Sequence, residues 1–221
     1  YNKTYSKHGF NLSDFEKFAI EDLKKLPYLE KETLRKFGKT TLLSSNRKKG
    51  KFLSSSGSTG TPVNIYYTNK FFQTWFAAYE SRVRNWAGVN KQMNRGMIGG
   101  REIIQKIEAS PPFYRCNYSE NQTYFSAFHI SDKNINSYVN GLINTKVEYM
   151  VGYAFSNFCL ANLIIENKIK VPQLKAVLTS SEKLTNEMRE TFFKAYGCKT
   201  FDAYSGVEAC GLISENLEGD F

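Results

Sequence analysis

Residues able to bind metals or form disulfides are scarce in this chain and poorly spaced for either role. Its 221 residues include four cysteines and two histidines. Cys116, Cys159, Cys198 and Cys210 form no Cys-x-x-Cys pair, which excludes the usual structural zinc spacings. A chain this long builds a core without cross-links, so free thiols are expected, and with them a reducing compartment. No apolar run approaches the roughly 20 residues that span a bilayer. The start shows no basic, apolar and small-residue pattern of a secretory leader. Tyr1 is not an initiator methionine, so the natural start is expected upstream. A cytoplasmic location is the expectation.

Apolar and basic residues are plentiful. Hydrophobic residues make up 41% and charged residues 23%, with 17 Phe and 14 Tyr as core material, the profile of an ordinary globular domain. The net charge is +9, and much of it is local. Lys31, Arg35, Lys36, Lys39, Arg47, Lys48, Lys49 and Lys51 face only Glu32 within residues 31–51. Such a segment attracts a polyanionic ligand or is simply a solvated face. No recognition-helix or RNP-type motif accompanies it, so nucleic-acid binding is disfavoured.

The segment leads into Ser54-Ser55-Ser56-Gly57-Ser58-Thr59-Gly60-Thr61-Pro62. Glycines let the backbone approach a ligand closely, and successive N–H groups and hydroxyls suit phosphate oxygens. Pro62 ends the loop by restricting itself and Thr61. Lys51-Phe52-Leu53 before it and Val63 to Thr68 after it read as strands. A Walker loop requires Gly-Lys-Ser/Thr followed by a helix, and both are missing. The open readings are a phosphate cradle and a flexible Ser/Gly linker.

Residues 1–45 read as a polar helical lead-in, with Ser13 and Glu16 at capping-box spacing. Beyond the loop, Lys70 to Ala87 is an amphipathic helix, with Asn69 as cap and Gly88 as stop. Its aromatic stripe is assigned to packing. Residues 93–98 read as a strand, 101–123 as irregular and 124–131 as extended. A helix presents Ile135, Tyr138, Val139, Leu142 and Ile143 on one face. Strands at 147–151, 174–179 and 199–204 then alternate with helices at 154–167 and 185–196. That alternation predicts an α/β fold, a mostly parallel sheet with helices on both faces. The expected domains are a helical lead-in over 1–50 and an α/β core over 51–221.

Ligands of open α/β sheets bind beyond the carboxyl ends of the strands. The three late strands run into Gly152-Tyr153, Ser180-Ser181-Glu182 and Ser205-Gly206-Val207-Glu208. Small and acidic residues at three successive ends suggest a shared crevice. They also suit ordinary turns and helix N-termini.

These residues together resemble the acyl-adenylate-forming superfamily. Ser-Gly-Ser-Thr-Gly-Thr-Pro-Val is similar to the phosphate loop of the phenylacetate–CoA ligase and CapK-like capsular polysaccharide biosynthesis branch. Tyr204-Ser205-Gly206-Val207-Glu208 resembles its Tyr-Gly-x-Thr-Glu motif. Thr179 to Leu184 resembles its adenine-lining segment, Val151 to Ala154 its Gly-Tyr segment beside the acyl pocket, and Phe128-His129 the segment that closes over the acid. The resemblance runs colinearly from about residue 15 to 221, and implies part of the large N-terminal domain of an adenylate-forming enzyme. It implies ATP, Mg²⁺ and a carboxylic-acid substrate, with coenzyme A or another thiol as acceptor. By the same resemblance Glu208 is catalytic and holds the metal. Ser56, Gly57, Ser58, Thr59, Gly60, Thr61, Ser180, Ser181, Glu182, Tyr204, Ser205 and Gly206 bind nucleotide, and His129, Gly152 and Tyr153 contact the acid. Three positions depart from the pattern. Ser205 replaces Gly, Val207 replaces Thr and removes a hydroxyl, and Val63 stands where the broader superfamily has Lys or Arg. The alternative is a non-catalytic nucleotide- or partner-binding protein that retains the fold. The resemblance also implies that the chain is a fragment, inactive alone, because the family's ribose-binding Asp and C-terminal Lys domain lie further along.

Overall fold

The computed structural model describes residues 2–55, 62–106 and 108–221. Ser56, Gly57, Ser58, Thr59, Gly60 and Thr61, on which the phosphate-loop reading rests, lie outside the described residues. The chain divides into two compact units, residues 1–72 and 73–221. The hairpin around the loop therefore groups with the lead-in.

The first unit holds α1 (Asn2–Lys7), two 3₁₀ turns (Leu12–Lys17 and Ile20–Lys25) and α2 (Lys31–Phe37). The expected capping box at Ser13 is displaced two residues. Asn11 is the cap, and its N–H donates to the Asp14 carboxylate at 2.6 Å. Segments this short cannot sustain α-helix alone, and an aromatic cluster holds the first of them. Phe15 lies 5.2 Å from Tyr5 and 5.1 Å from Phe18 between ring centres. Strands β1 (Gly50–Ser54) and β2 (Asn64–Thr68) pair antiparallel, Ser54 opposite Asn64. Both expected strands are present. Beyond the pair, the Val63 N–H donates to Ser55 Oγ at 2.9 Å, and the Val63 side chain is buried.

α3 (Asn69–Tyr79) runs across the division into a π-helical turn, Glu80–Arg84. The expected helix is present, widened in its last part, and Gly88 stops it at φ +71°. Its stripe is only partly covered: Val83 is buried, whereas Phe76 is exposed.

The second unit is built on a seven-stranded sheet. Its strands are β3 (Arg95–Gly99), β4 (Tyr114–Asn117), β5 (Gln122–Ser126), β6 (Tyr149–Gly152), β7 (Ala176–Ser180), β8 (Lys199–Ser205) and β9 (Leu212–Ser214). They lie in the order β4-β5-β3-β6-β7-β8-β9. The five central strands are parallel, and the edge strands β4 and β9 run antiparallel. The mostly parallel sheet agrees with the expectation. β4 is a correction to the irregular reading of 101–123, and β9 was not foreseen. Edge strands of three or four residues have too little alternation to show a period. The extended segment also ends early, at Ser126, in a 3₁₀ turn over Ala127–His129.

Period-two alternation supplies both faces of the sheet. Ile98, Phe125, Met150 and Val177 share one core with α4 (Ile135–Asn144), α5 (Ala154–Glu166) and α6 (Asn186–Tyr196). Tyr149, Val151, Ala176, Leu178, Phe201 and Ala203 face the other core, with Val83, Ala87 and Val89. Each such fully buried side chain contributes roughly 1.5–3 kcal/mol. Thr185 caps α6 by accepting from the Met188 N–H at 3.3 Å. Glu215, 4% exposed, pairs with Arg189 of α6 and accepts from the Asp202 N–H at 2.8 Å. A carboxylate so deeply buried requires that cation beside it.

Candidate active site

The parallel arrangement gathers the carboxyl ends of β5, β3, β6, β7 and β8 on one edge. The chain leaves β3 toward β5 and then crosses to β6 on its other side. Such a reversal opens a crevice in α/β sheets. Across it, Ile98, Gly152, Thr179 and Asp202 stand in one row of the pairing register.

Gly152 has φ +127°, and a Cβ there would lie 1.8 Å from the Ile98 carbonyl oxygen. Only glycine fits. The turn lets the Tyr153 N–H donate to that same oxygen at 2.8 Å. Tyr153 then caps α5, its carbonyl accepting from Asn157 Nδ2 at 2.8 Å. Its hydroxyl rests against Gly100, where a Cβ would come within 2.5 Å of it. The Gly-Tyr pair therefore joins the ends of β3 and β6.

At the end of β7, Ser181 adopts φ +72°, a conformation that non-glycine residues rarely take. Glu182 follows and reaches back to α5, its carboxylate accepting from the Phe155 N–H at 2.8 Å. A carboxylate here satisfies a free amide and favours the positive end of the helix. Glu182→Ala is expected to lower stability by about 1 kcal/mol, measured by urea denaturation.

Tyr204, Ser205 and Gly206 lead from β8 into the hairpin that returns as β9. Ser205 Oγ donates to the Gly211 carbonyl at 2.9 Å, and the Ala209 N–H donates to the Gly206 carbonyl at 3.0 Å. The serine that replaces the usual glycine thus pins the loop closed. Tyr204 is 72% exposed, its ring free for a flat ligand to stack upon. Glu208 is exposed, and its carboxylate has no hydrogen-bond or ion-pair partner among the described residues.

His129 is different. It is 6% exposed, and its ring stacks on Phe113 at 4.9 Å. Nε2 lies 2.9 Å from the Lys106 carbonyl and Nδ1 2.7 Å from Ser126 Oγ. A carbonyl only accepts, so Nε2 carries a proton directed at Lys106, and Nδ1 shares a hydrogen bond with the serine hydroxyl. Both nitrogens are engaged.

One residue was missed. Asp202 Oδ1 accepts from Thr179 Oγ1 at 2.9 Å and from the Ala203 N–H at 3.0 Å. An acid two residues before Tyr204 was the available signal. Burial, and to a lesser extent Glu215, hold its carboxyl above the usual value of 3.8, against the bonds from Thr179 and Ala203 and the charge of Arg189. A raised native value means that the folded state binds the proton more tightly. Asp202 therefore favours folding below about pH 4, and that advantage is lost as pH rises through its native value. Asn keeps the accepting oxygen and removes the charge. Asp202→Asn is expected to raise Tm at pH 7, with the gain shrinking toward pH 3 in a calorimetric series.

Cavities of about 530 and 740 Å³ lie near Lys199 at the amino end of β8, across the sheet from this crevice. Among the described residues, no group of three His, Cys, Asp or Glu is placed to hold a metal. No helix among them is long and apolar enough to cross a membrane.

No family model matches the chain. Protein CapK of Staphylococcus aureus is 29% identical over 211 residues, which is 95% of this chain and 46% of CapK. The chain thus spans about half the length of this curated relative. Among solved structures, 2-hydroxyisobutyryl-CoA ligase, in complex with 2-HIB-AMP and CoA, matches with a TM-score of 0.65 at 16% identity. That match covers 100% of this chain and 49% of the ligase. The anthranilate CoA ligase AuaEII, in complex with anthranoyl-AMP, matches with a TM-score of 0.53 at 13% identity. It covers 77% of this chain and 32% of that one. The chain thus resembles CapK along nearly its whole length and has the fold of the N-terminal domain of adenylate-forming ligases.

Proposed function

We propose that this chain is the nucleotide- and acyl-handling part of an adenylate-forming ligase. In this reaction a carboxylate attacks the α-phosphate of ATP, forming an acyl-adenylate and releasing pyrophosphate. A thiol such as coenzyme A then takes the acyl group and releases AMP. The observation that carries the reading is the row of parallel strand ends. There Gly152-Tyr153, Ser180-Ser181-Glu182 and Tyr204 to Glu208 occupy the carboxyl ends of the neighbouring strands β6, β7 and β8 and the turns that follow them.

The residues divide the work by chemistry. Tyr204 offers its ring to the adenine, with Ser180, Ser181, Ser205 and Gly206 around it. Glu182 shapes that wall through its bond to α5. Gly152 and Tyr153 border the acyl group. His129, both nitrogens engaged, forms part of the pocket wall and moves no proton. Residues 56–61, outside the described residues, are assigned to phosphate binding on their Ser, Thr and Gly composition alone. Catalysis is then chiefly positioning and charge stabilisation.

Mg²⁺ suits the donor set. A single exposed carboxylate without a partner among the described residues, Glu208, fits an ion that keeps its waters and is otherwise held by substrate phosphates. Glu208 would hold it, and its charge would offset that of the phosphates. A cytoplasmic location goes with this chemistry, since ATP and free thiols are supplied there.

A non-catalytic reading is favoured by one observation. Val63 is 2% exposed, so the residue after Pro62 is turned inward and offers no charge to a leaving pyrophosphate. Product analysis separates the two readings, using the longest reading frame that contains this chain. Ligase activity yields AMP and pyrophosphate only when an acid is added. A binding protein holds ATP and yields neither.

A further inference from the structure

Pockets on the amino edge of the sheet take no part in that chemistry. One of about 220 Å³ lies where Asn94 precedes β3, the β4–β5 turn begins β5, and Asn144 to Lys146 lead toward β6. With strands of about five residues, it sits some 17 Å from the carboxyl-end crevice.

Its lining is unusual. Five side chains are carboxamides, from Asn94, Asn117, Asn121, Gln122 and Asn144, with one cation, Lys146, and one aromatic, Tyr118. Two of the amides are committed to the fold. Gln122 bonds Arg95 and Met97, and Asn121 donates to the Gln92 carbonyl at 3.0 Å. The side-chain amides of Asn94 and Asn144 have no hydrogen-bond partner among the described residues, and Asn117 uses only its oxygen, accepting from Ser119 Oγ at 2.7 Å. Tyr118 stands at the rim, 87% exposed.

Each free amide presents a donor and an acceptor side by side. A ligand that satisfies several at once carries hydroxyls that both give and accept. One lysine is too little charge for a nucleotide, and five amides are too polar for an acyl chain or aromatic acid. The volume falls below that of ordinary drug-sized pockets, so it admits a single ring. An exposed phenol ring supplies a flat apolar surface for the C–H face of such a ring.

We propose that this pocket binds one polyhydroxylated sugar ring. The free amides of Asn94, Asn117 and Asn144 read its hydroxyls, and Tyr118 stacks on its face. Lys146 gives preference to a ring that bears a carboxylate. The site is independent of adenylation and stands or falls separately from it.

The probes are free glucose, N-acetylglucosamine and glucuronic acid, added to the ¹⁵N-labelled chain and followed through side-chain amide resonances. A ligand of this size in so open a pocket binds at about millimolar strength. The Asn94 and Asn144 amide signals shift saturably with at least one sugar. Tyr118→Ala and Asn144→Ala, both at exposed positions, weaken it about tenfold each, while the distant Lys133→Ala does not. Lys146→Ala abolishes any preference for glucuronic acid over glucose. Absence of saturable shifts with all three sugars, or shifts unchanged in Tyr118→Ala and Asn144→Ala, overturns the proposal.

Discussion

Glu208→Gln is expected to lower acid-dependent turnover by roughly 10²–10³-fold while leaving the fold intact. The two effects separate because the carboxylate is exposed and has no partner among the described residues. No packing or ion pair is lost. Gln retains the length and one accepting oxygen, so what disappears is the negative charge that would hold a cation against the phosphates. The loss should fall on kcat and kcat/KM together, the pattern of an interaction made mainly in the transition state. Tm should stay within about 1 °C of the parent, because surface changes away from packing features cost little. A similar fall in activity accompanied by a large drop in Tm would instead mark Glu208 as structural. Full activity in Glu208→Gln would remove it from the mechanism.

Gly152→Ala is the second large effect, and it acts on folding. An added methyl would lie 1.8 Å from the Ile98 carbonyl oxygen, at a backbone φ of +127°. That oxygen already accepts from the Tyr153 N–H, so β3 and β6 must separate at the centre of the sheet. The cost should exceed about 4 kcal/mol, in the exceptional range for one substitution, and so a large share of a typical total of 5–15 kcal/mol. Gly88→Ala is the control. Gly88 also has positive φ, at +71°, but a Cβ there meets nothing within 4 Å. It should cost only the backbone strain, about 1–2 kcal/mol. Urea denaturation of both variants reads the difference. Equal losses would mean that conformation, and not the approach of the two strands, makes glycine necessary at 152.

The central sheet was legible because its signals are long and repeated. Strands of buried Val, Leu and Met alternate with ten- to thirteen-residue helices, and each period reinforces the next. Gly88 after the π turn marked a helix end by local chemistry that context did not override. β4 and β9 were illegible because four and three residues are too few for alternation to emerge. The lead-in was read as helical from composition, but propensity cannot tell α from 3₁₀ in six-residue pieces. Site residues were legible by position, at strand ends, and less so by role. Glu182 bonds the start of α5, and His129 is locked between Lys106 and Ser126. Those partners lie 27 and 23 residues away in the cases of Phe155 and Lys106, distances that a local motif does not carry. Asp202 was missed for the same reason. Its environment is built by Thr179, Glu215 and Arg189 from three separate elements.

The most direct measurement is isotope exchange between labelled pyrophosphate and ATP, run across aliphatic and aryl acids on the longest reading frame that contains this chain. Exchange that requires one acid, needs Mg²⁺ and is lost in Glu208→Gln is the predicted result. A folded protein that binds ATP yet exchanges no label with any acid would contradict adenylation and leave a nucleotide-binding protein with a ligase fold.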